Sequence, residues 1–145
     1  MKPTLTEGLK HSFAYQVPPN KTVPHLYEEA PQLRAMPDVF ATAFMIGLME
    51  WTCVQLLEPH LDEGEGSLGI HVDVSHTAAT PPGLTVTVEA ECIQLKGPRA
   101  KFSLRAHDGV EQISTGTHER FIVGWDRFER GLVSKRTKSL EEAPA

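Results

Sequence analysis

Cysteines and basic residues are scarce in this chain, and their scarcity excludes several kinds of protein. The 145 residues include two cysteines, and 14 Lys and Arg stand against 19 Asp and Glu, for a net charge of −5. Without a basic stripe or alternating basic and aromatic residues, we expect no nucleic-acid partner. Cys53 and Cys92 lie in apolar, periodic segments, so we expect two buried free thiols in a reducing cytoplasm.

Long uncharged apolar segments are also lacking. The longest apolar run, residues 39–57, contains Thr42, Glu50 and Thr52 and stops just before Pro59. We therefore expect no membrane span. Residues 1–8 lack the apolar stretch of a signal peptide, so none is expected.

The familiar motifs for cofactors and activated nucleophiles are missing as well. The sequence contains no Gly-x-Ser-x-Gly elbow, phosphate-binding loop, dinucleotide fingerprint or His-Glu-x-x-His motif. Neither cysteine has a Cys or His at metal-ligand spacing. We expect no metal and no other cofactor, which leaves cofactor-free catalysis or simple binding.

The pattern of apolar residues predicts a single domain over residues 1–130. One period-two segment precedes a long apolar helix opened by Pro37 and Asp38, and four longer period-two segments follow it. This order predicts an α+β hot-dog fold, in which an antiparallel sheet wraps one central helix and a second subunit covers the rest. Residues 20–36 read as loop and short turns that could form a lid, and residues 131–145 as a loosely ordered, charged tail. The predicted strands are 12–17, 67–80, 84–95, 99–107 and 110–124, and the predicted helix is 37–57.

Glu50 is the most unusual residue of the predicted helix, because its carboxylate interrupts an apolar run. A charged group in such surroundings must be neutralised, paired or used chemically. A structural carboxylate, satisfied by backbone donors or by Arg120 of the last strand, and a catalytic one are equal alternatives.

His76 is the first candidate partner for Glu50. Period-two alternation places it on the same strand face as Ile70, Val72 and Val74, directed toward the helix. A core histidine bonded to a backbone carbonyl is the alternative to a functional pair with Glu50.

Thr42 and Gly69 are further candidates with weaker signals. Thr42 lies eight residues before Glu50, a separation of about 12 Å along a straight helix. The two therefore meet only if Thr42 sits before the first full turn, if the helix is irregular, or if substrate bridges them. An N-terminal cap is the alternative role for Thr42. Gly69 offers a backbone amide that a ligand could approach closely.

Five blocks of the sequence together resemble the fluoroacetyl-CoA thioesterase family, over about residues 10–124. The resemblance implies a homodimeric or higher-order hot-dog enzyme that hydrolyses a short acyl-CoA thioester. It assigns catalysis to Thr42, Glu50 and His76, and substrate contacts to Gly69 and Arg120. The blocks are FATAFMIGLMEW at 40–51, GEGSLG at 64–69, HTAATPPGLTVTV at 76–88, AHDGV at 106–110 and GTHER at 116–120.

The lid departs from the family pattern. Family members that act on fluoroacetyl-CoA carry two phenylalanines there, and this chain has Leu33 and Met36 in their places. Both replacements are apolar but differ from phenylalanine in shape and flexibility, so they bear on which acyl group this chain prefers.

The expected mechanism needs no cofactor. Glu50 would attack the thioester or activate water, Thr42 would orient Glu50, and His76 would act as an acid or base. Backbone donors near Gly69 would stabilise the oxyanion, and Arg120 would fix the carboxylate or the substrate. A dehydratase or isomerase acting on acyl thioesters and a non-catalytic acyl-CoA binding module are the alternatives.

Overall fold

The computed structural model describes residues 1–142, which form one antiparallel sheet, one central helix and a C-terminal helix. Short 3-10 turns lie at Pro19–Lys21, Val23–His25 and Glu58–His60. The strands are β1 (Lys10–Gln16), β2 (Glu65–Val74), β3 (Thr85–Lys96), β4 (Arg99–His107) and β5 (Gln112–Gly124), and the helices are α1 (Pro31–Arg34), α2 (Thr42–Leu57) and α3 (Trp125–Glu141).

The sheet has the order β1-β3-β4-β5-β2, and every neighbouring pair is antiparallel. Tight turns join β3 to β4 and β4 to β5, where Gly97 and Gly109 have positive φ angles. Strand β2 therefore lies at one edge of the sheet, although it precedes the three central strands in sequence.

One face of α2 packs against the sheet and forms the core. Met45, Met49, Cys53 and Leu57 of the helix are almost completely buried, because they recur at helical spacing toward β1 and β3. The opposite stripe of the helix carries apolar residues that this chain leaves exposed, among them Trp51. The α+β arrangement predicted from the sequence is confirmed.

Helix α2 begins five residues later than the sequence predicts. Ala41 has an extended backbone, and most hydrogen bonds of the segment before Thr42 go to neighbouring loops. The Phe40 N–H donates to the Thr80 carbonyl at 2.7 Å, and the Ala41 N–H donates to the Lys21 carbonyl at 3.1 Å. Thr42 is thus the first residue of the helix.

Strand β2 is shorter and less regular than predicted. It ends at Val74, and its register with β5 shifts between Gly69 and His71. Such a bulge interrupts strict alternation, and both Ile70 and Val72, which were assigned to the apolar face, are exposed on this edge strand. His76 lies in the loop that follows the strand.

The prediction of a loosely ordered tail at 131–145 missed a helix, because α3 continues to Glu141. Trp125 begins this helix. Its backbone N–H donates to the Gly64 carbonyl at 2.9 Å, and its indole ring packs on Gly66. From Gly131 to Glu142 the side chains are exposed, so the helix has few tertiary contacts. Residues 143–145 of the predicted tail lie outside the described part of the chain. In residues 1–142, none of the helices has the length and apolarity required to cross a membrane.

Candidate active site

The side chain of Glu50 meets an arginine that projects from β5. Arg120 is 5% exposed, and its Nη1 donates to Glu50 Oε1 at 3.2 Å. The guanidinium is fixed on its other side by Ser67, whose hydroxyl accepts from Nε at 2.8 Å and whose carbonyl accepts from Nη2 at 2.9 Å. The Glu50 side chain itself is 42% exposed, so this is a carboxylate held at one oxygen with an open side.

His118 completes the cluster as a neutral ring. Its Nδ1 lies 2.7 Å from the His71 carbonyl, which can only accept, so Nδ1 carries the proton. Its Nε2 is then free to accept from Arg120 Nη1 at 3.1 Å. Burial lowers the pKa of His118, and the nearby Arg120 charge adds to this effect. The 4.0 Å approach of its Nε2 to Glu50 is therefore not an ion pair.

Gly69 stands directly beside this cluster, opposite Arg120 in the sheet. A Cβ at this position would lie 2.5 Å from Glu50 Oε1 and 3.1 Å from His118 Cε1. A larger residue would displace the Glu50 carboxylate, since that oxygen is the end of a flexible side chain. The sequence placed Gly69 near a ligand, and the structure places it against Glu50.

A second pair lies at the start of α2. Thr42 Oγ1 and His76 Nδ1 are 2.7 Å apart, so the prediction that His76 faces the helix is confirmed by this contact. The other ring nitrogen of His76, Nε2, is buried and has no hydrogen-bond partner in residues 1–142. Burial lowers the pKa of His76, and the backbone of Ala78 partly opposes this shift.

Within one chain, these are two separate groups. Thr42 bonds to His76 and not to Glu50, which differs from the expected Thr42–Glu50 contact. The eight residues between Thr42 and Glu50 span about 12 Å of regular helix, too far for a hydrogen bond. Glu50 instead has Arg120, the partner named in its structural alternative.

The predicted lid residues lie in and just after the short helix α1. Leu33 is half-buried and Met36 is exposed, so the segment offers an apolar surface before α2. Their role in binding substrate stays a prediction.

His118 and Ser67 are the site residues that sequence reasoning missed. His118 lies two residues before Arg120 on the same strand, so alternation places both side chains on one face. That signal was available, whereas the contact between Ser67 and Arg120 depends on the pairing of β2 with β5. For residues 1–142, no group of three or more His, Cys, Asp and Glu side chains could hold a metal ion.

Comparison with known proteins shows which family this chain is similar to. The family model described as fluoroacetyl-CoA-specific thioesterase matches residues 19–126. The fluoroacetyl-CoA thioesterase of Streptantibioticus cattleyicolor is 52% identical over 135 residues, which are 93% of this chain and 97% of that protein.

Solved structures give the same picture. A point mutant of the fluoroacetyl-CoA-specific thioesterase, in complex with fluoroacetate and CoA, has a TM-score of 0.84 and 52% identity, over 86% of this chain and 99% of its own. A thioesterase superfamily member from Thermus thermophilus has a TM-score of 0.82 and 27% identity, over 97% and 99% of the two chains. A further solved structure, the hot-dog-like protein from Thermanaerovibrio acidaminovorans, has a TM-score of 0.76 and 25% identity over 92% of this chain and 93% of its own, and the predicted hot-dog fold is confirmed. The chain belongs to the fluoroacetyl-CoA-specific thioesterase family.

Proposed function

We propose that this protein hydrolyses short acyl-CoA thioesters, with fluoroacetyl-CoA the first substrate to test. In the reaction, water adds its oxygen to the acyl carbon, the C–S bond breaks, and CoA leaves as the free thiol. Relatives have been crystallised with fluoroacetate and CoA and with acetyl-CoA, which supports this class of substrate. The cytoplasmic location predicted from the cysteines stays a prediction.

The observation that carries the proposal is the open Glu50 carboxylate. Arg120 holds Oε1, and in the part of the chain that the structure describes Oε2 accepts no hydrogen bond. A carboxylate fixed at one oxygen and open at the other suits attack on a thioester carbonyl or removal of a proton from water. The neutral His118 supports Arg120 without competing for its charge.

The Thr42–His76 pair supplies the second chemical function. His76 in its neutral form is a base at neutral pH, and the adjacent Thr42 hydroxyl fixes the orientation of its ring. Within residues 1–142 the buried Nε2 has no hydrogen-bond partner, so it is the ring nitrogen whose bonding capacity is unused. We assign proton transfer to His76 and orientation of His76, rather than of Glu50, to Thr42.

A second copy of the chain would bring the two groups together. Strand β2 is an edge strand that exposes Ile70 and Val72, and the uncovered stripe of α2 exposes Trp51 and Val54. Exposed apolar residues at a free strand edge and on α2 favour self-association. A two-fold axis perpendicular to β2 would pair the two β2 strands antiparallel and reverse one α2 against the other, and we propose that Glu50 of one copy then works with Thr42 and His76 of the other.

The lid bears on the choice of acyl group. Leu33 and Met36 keep an apolar surface before α2 but offer no aromatic ring, so we propose a preference for small acyl groups with weaker discrimination between fluoroacetyl and acetyl. A pocket lined by aliphatic side chains separates such similar groups by only about 10- to 200-fold.

The first experiment measures free thiol released from fluoroacetyl-, acetyl-, propionyl- and crotonyl-CoA. We expect hydrolysis of the shortest substrates, and Glu50→Gln should lower kcat/KM by about 100-fold or more. Glu58→Gln, an exposed carboxylate at the end of the same helix, is the matched control and should be unchanged. Normal turnover by Glu50→Gln would refute the proposal, and hydration of crotonyl-CoA without thiol release would favour a dehydratase.

A mixing experiment tests the shared site. Glu50→Gln and His76→Ala should each be inactive, yet mixing them and allowing subunits to exchange should restore up to about a quarter of the wild-type activity. In a dimer of one Glu50→Gln chain and one His76→Ala chain, one of the two sites contains an unaltered Glu50 and an unaltered His76. Such mixed dimers make up about half of all dimers, so about a quarter of all sites are active. If each chain carried its whole site, mixing would restore nothing.

A further inference from the structure

The two segments that carry Thr42 and His76 are joined at Thr80. The Phe40 N–H, two residues before Thr42, donates to the Thr80 carbonyl at 2.7 Å. Thr80 is also only four residues after His76, in the loop between β2 and β3, and it is completely buried. Thr80 is therefore connected to both segments, by a hydrogen bond to the one before Thr42 and along the chain to the one that carries His76.

Asp108 holds Thr80 in place. The Thr80 hydroxyl donates to Asp108 Oδ2 at 2.8 Å. The other carboxylate oxygen, Oδ1, accepts the backbone N–H groups of Val110 and Glu111 at 3.0 Å each, within the turn from β4 to β5. Asp108 is 3% exposed, so both of its oxygens are bonded inside the protein.

The rest of the His76 loop is attached to β5 by its backbone. The Ser75 N–H donates to the Thr115 carbonyl at 2.9 Å, and the Thr77 N–H donates to the Ile113 carbonyl at 2.8 Å. These bonds fix the main chain on either side of His76. The side-chain link through Asp108 is the one that also reaches the start of α2.

A buried aspartate in a turn usually has only a structural role, capping backbone N–H groups. That role needs one oxygen, and Oδ1 fills it. The second oxygen accepts a hydrogen bond from Thr80, which lies outside this turn. The Thr80 carbonyl in turn accepts the N–H of Phe40, in the segment that leads to Thr42. This second contact distinguishes Asp108 from an ordinary turn residue.

We propose that Asp108 is a positioning residue for the Thr42–His76 pair, acting through Thr80, an inference that rests on the proposed thioesterase function. Its carboxylate fixes the Thr80 hydroxyl, and the Thr80 carbonyl fixes Phe40. The distance between Thr42 Oγ1 and His76 Nδ1 is thereby set from the β4–β5 turn.

The clean test is Thr80→Val, which removes the hydroxyl and leaves both turn bonds of Asp108 intact. We expect kcat to fall about 10-fold with KM within about twofold of wild type, because small misplacement of reacting groups is costly. Thr80→Ser should restore most of the activity. Thr52→Val is the matched control, since Thr52 is equally buried and donates only to the Leu48 carbonyl of its own helix.

A spectroscopic measurement separates positioning from general stability. The ¹⁵N resonances of the His76 ring, assigned with His76→Asn and recorded at one fixed pH, should move in Thr80→Val and stay in place in Thr52→Val and Thr80→Ser. If Thr80→Val matches Thr52→Val in both kcat and ring resonances, Asp108 has only a structural role and the inference is wrong. If the wild type releases no thiol, the proposed function fails, whereas the ring resonances still decide whether Asp108 positions His76.

Discussion

Replacing Arg120 by methionine tests how the candidate site is held together. Methionine keeps much of the length and the apolar contacts of the side chain but removes every donor of the guanidinium. Three acceptors then lose their donor, namely Nε2 of the buried His118 and the hydroxyl and carbonyl of the half-buried Ser67. Glu50 loses its partner too, but it remains open to water.

The expected loss of stability follows from these contacts. A buried acceptor left without a donor, such as His118 Nε2, costs about 1–3 kcal/mol, and the two acceptors of the half-buried Ser67 cost less each, so the three together cost about 3 kcal/mol. The exposed Glu50 adds less than about 1 kcal/mol, because solvent screens such a pair. For a chain of this size, the total lowers the melting temperature by about 10 °C.

The assay is urea unfolding at one fixed protein concentration, which keeps any association constant. Arg105→Met is the matched control, since Arg105 pairs with Glu89 at 2.6 Å but both side chains are more than half exposed. The control should lose no more than about 1 kcal/mol. Equal losses for the two variants would refute the reasoning that Arg120 is the anchor of the site.

Three other perturbations have definite expected outcomes. Gly69→Ala should push the Glu50 carboxylate aside and lower kcat about 10-fold with little loss of stability, whereas Gly131→Ala, with open space around it, should leave kcat unchanged in the same thiol-release assay. Because burial lowers the pKa of His118 in the folded state, the unfolded chain takes up the proton first as pH falls below about 6.5, so stability should decrease from there until the folded pKa is passed. Unfolding curves between pH 7 and 5 should show this slope, and a His118→Gln variant with an equally steep slope would contradict it. Burial raises the pKa of Cys53 to about 12, so its thiol should react with an aromatic disulfide reagent at pH 8 only after urea is added, and rapid reaction of Cys53 in the native protein would count against the packing of α2.

The sequence was sufficient for the elements whose signals are local. Alternating apolar residues and the turns at Gly97 and Gly109 predicted β4 at its observed bounds and β3 within one residue. The sequence alone also identifies Glu50 as unusual, because a single carboxylate interrupts an otherwise apolar helix. These features depend on a few adjacent residues, because the period of a strand or helix fixes the direction in which each side chain points.

Local signals failed where the backbone departs from regularity. Proline and aspartate at 37 and 38 predicted the start of α2, but hydrogen bonds to Lys21 and Thr80 keep this segment extended up to Ala41. Helix α3 was missed because its sequence is highly charged and gives no signal of a buried face. Its start is set by a tertiary contact, in which Trp125 packs on Gly66.

Only the tertiary structure decided which side chains meet. Thr42 and His76 are 34 residues apart, and Glu50 and Arg120 are 70 apart, so their contacts arise from the pairing of β2 with β5 and the packing of α2 across the sheet. The sequence alone could name Glu50 and His76 as reactive residues, but it put them in one pair. The physical reason is that the chemical type of a side chain is given by its own position in the sequence, whereas its spatial neighbours depend on how the whole chain folds.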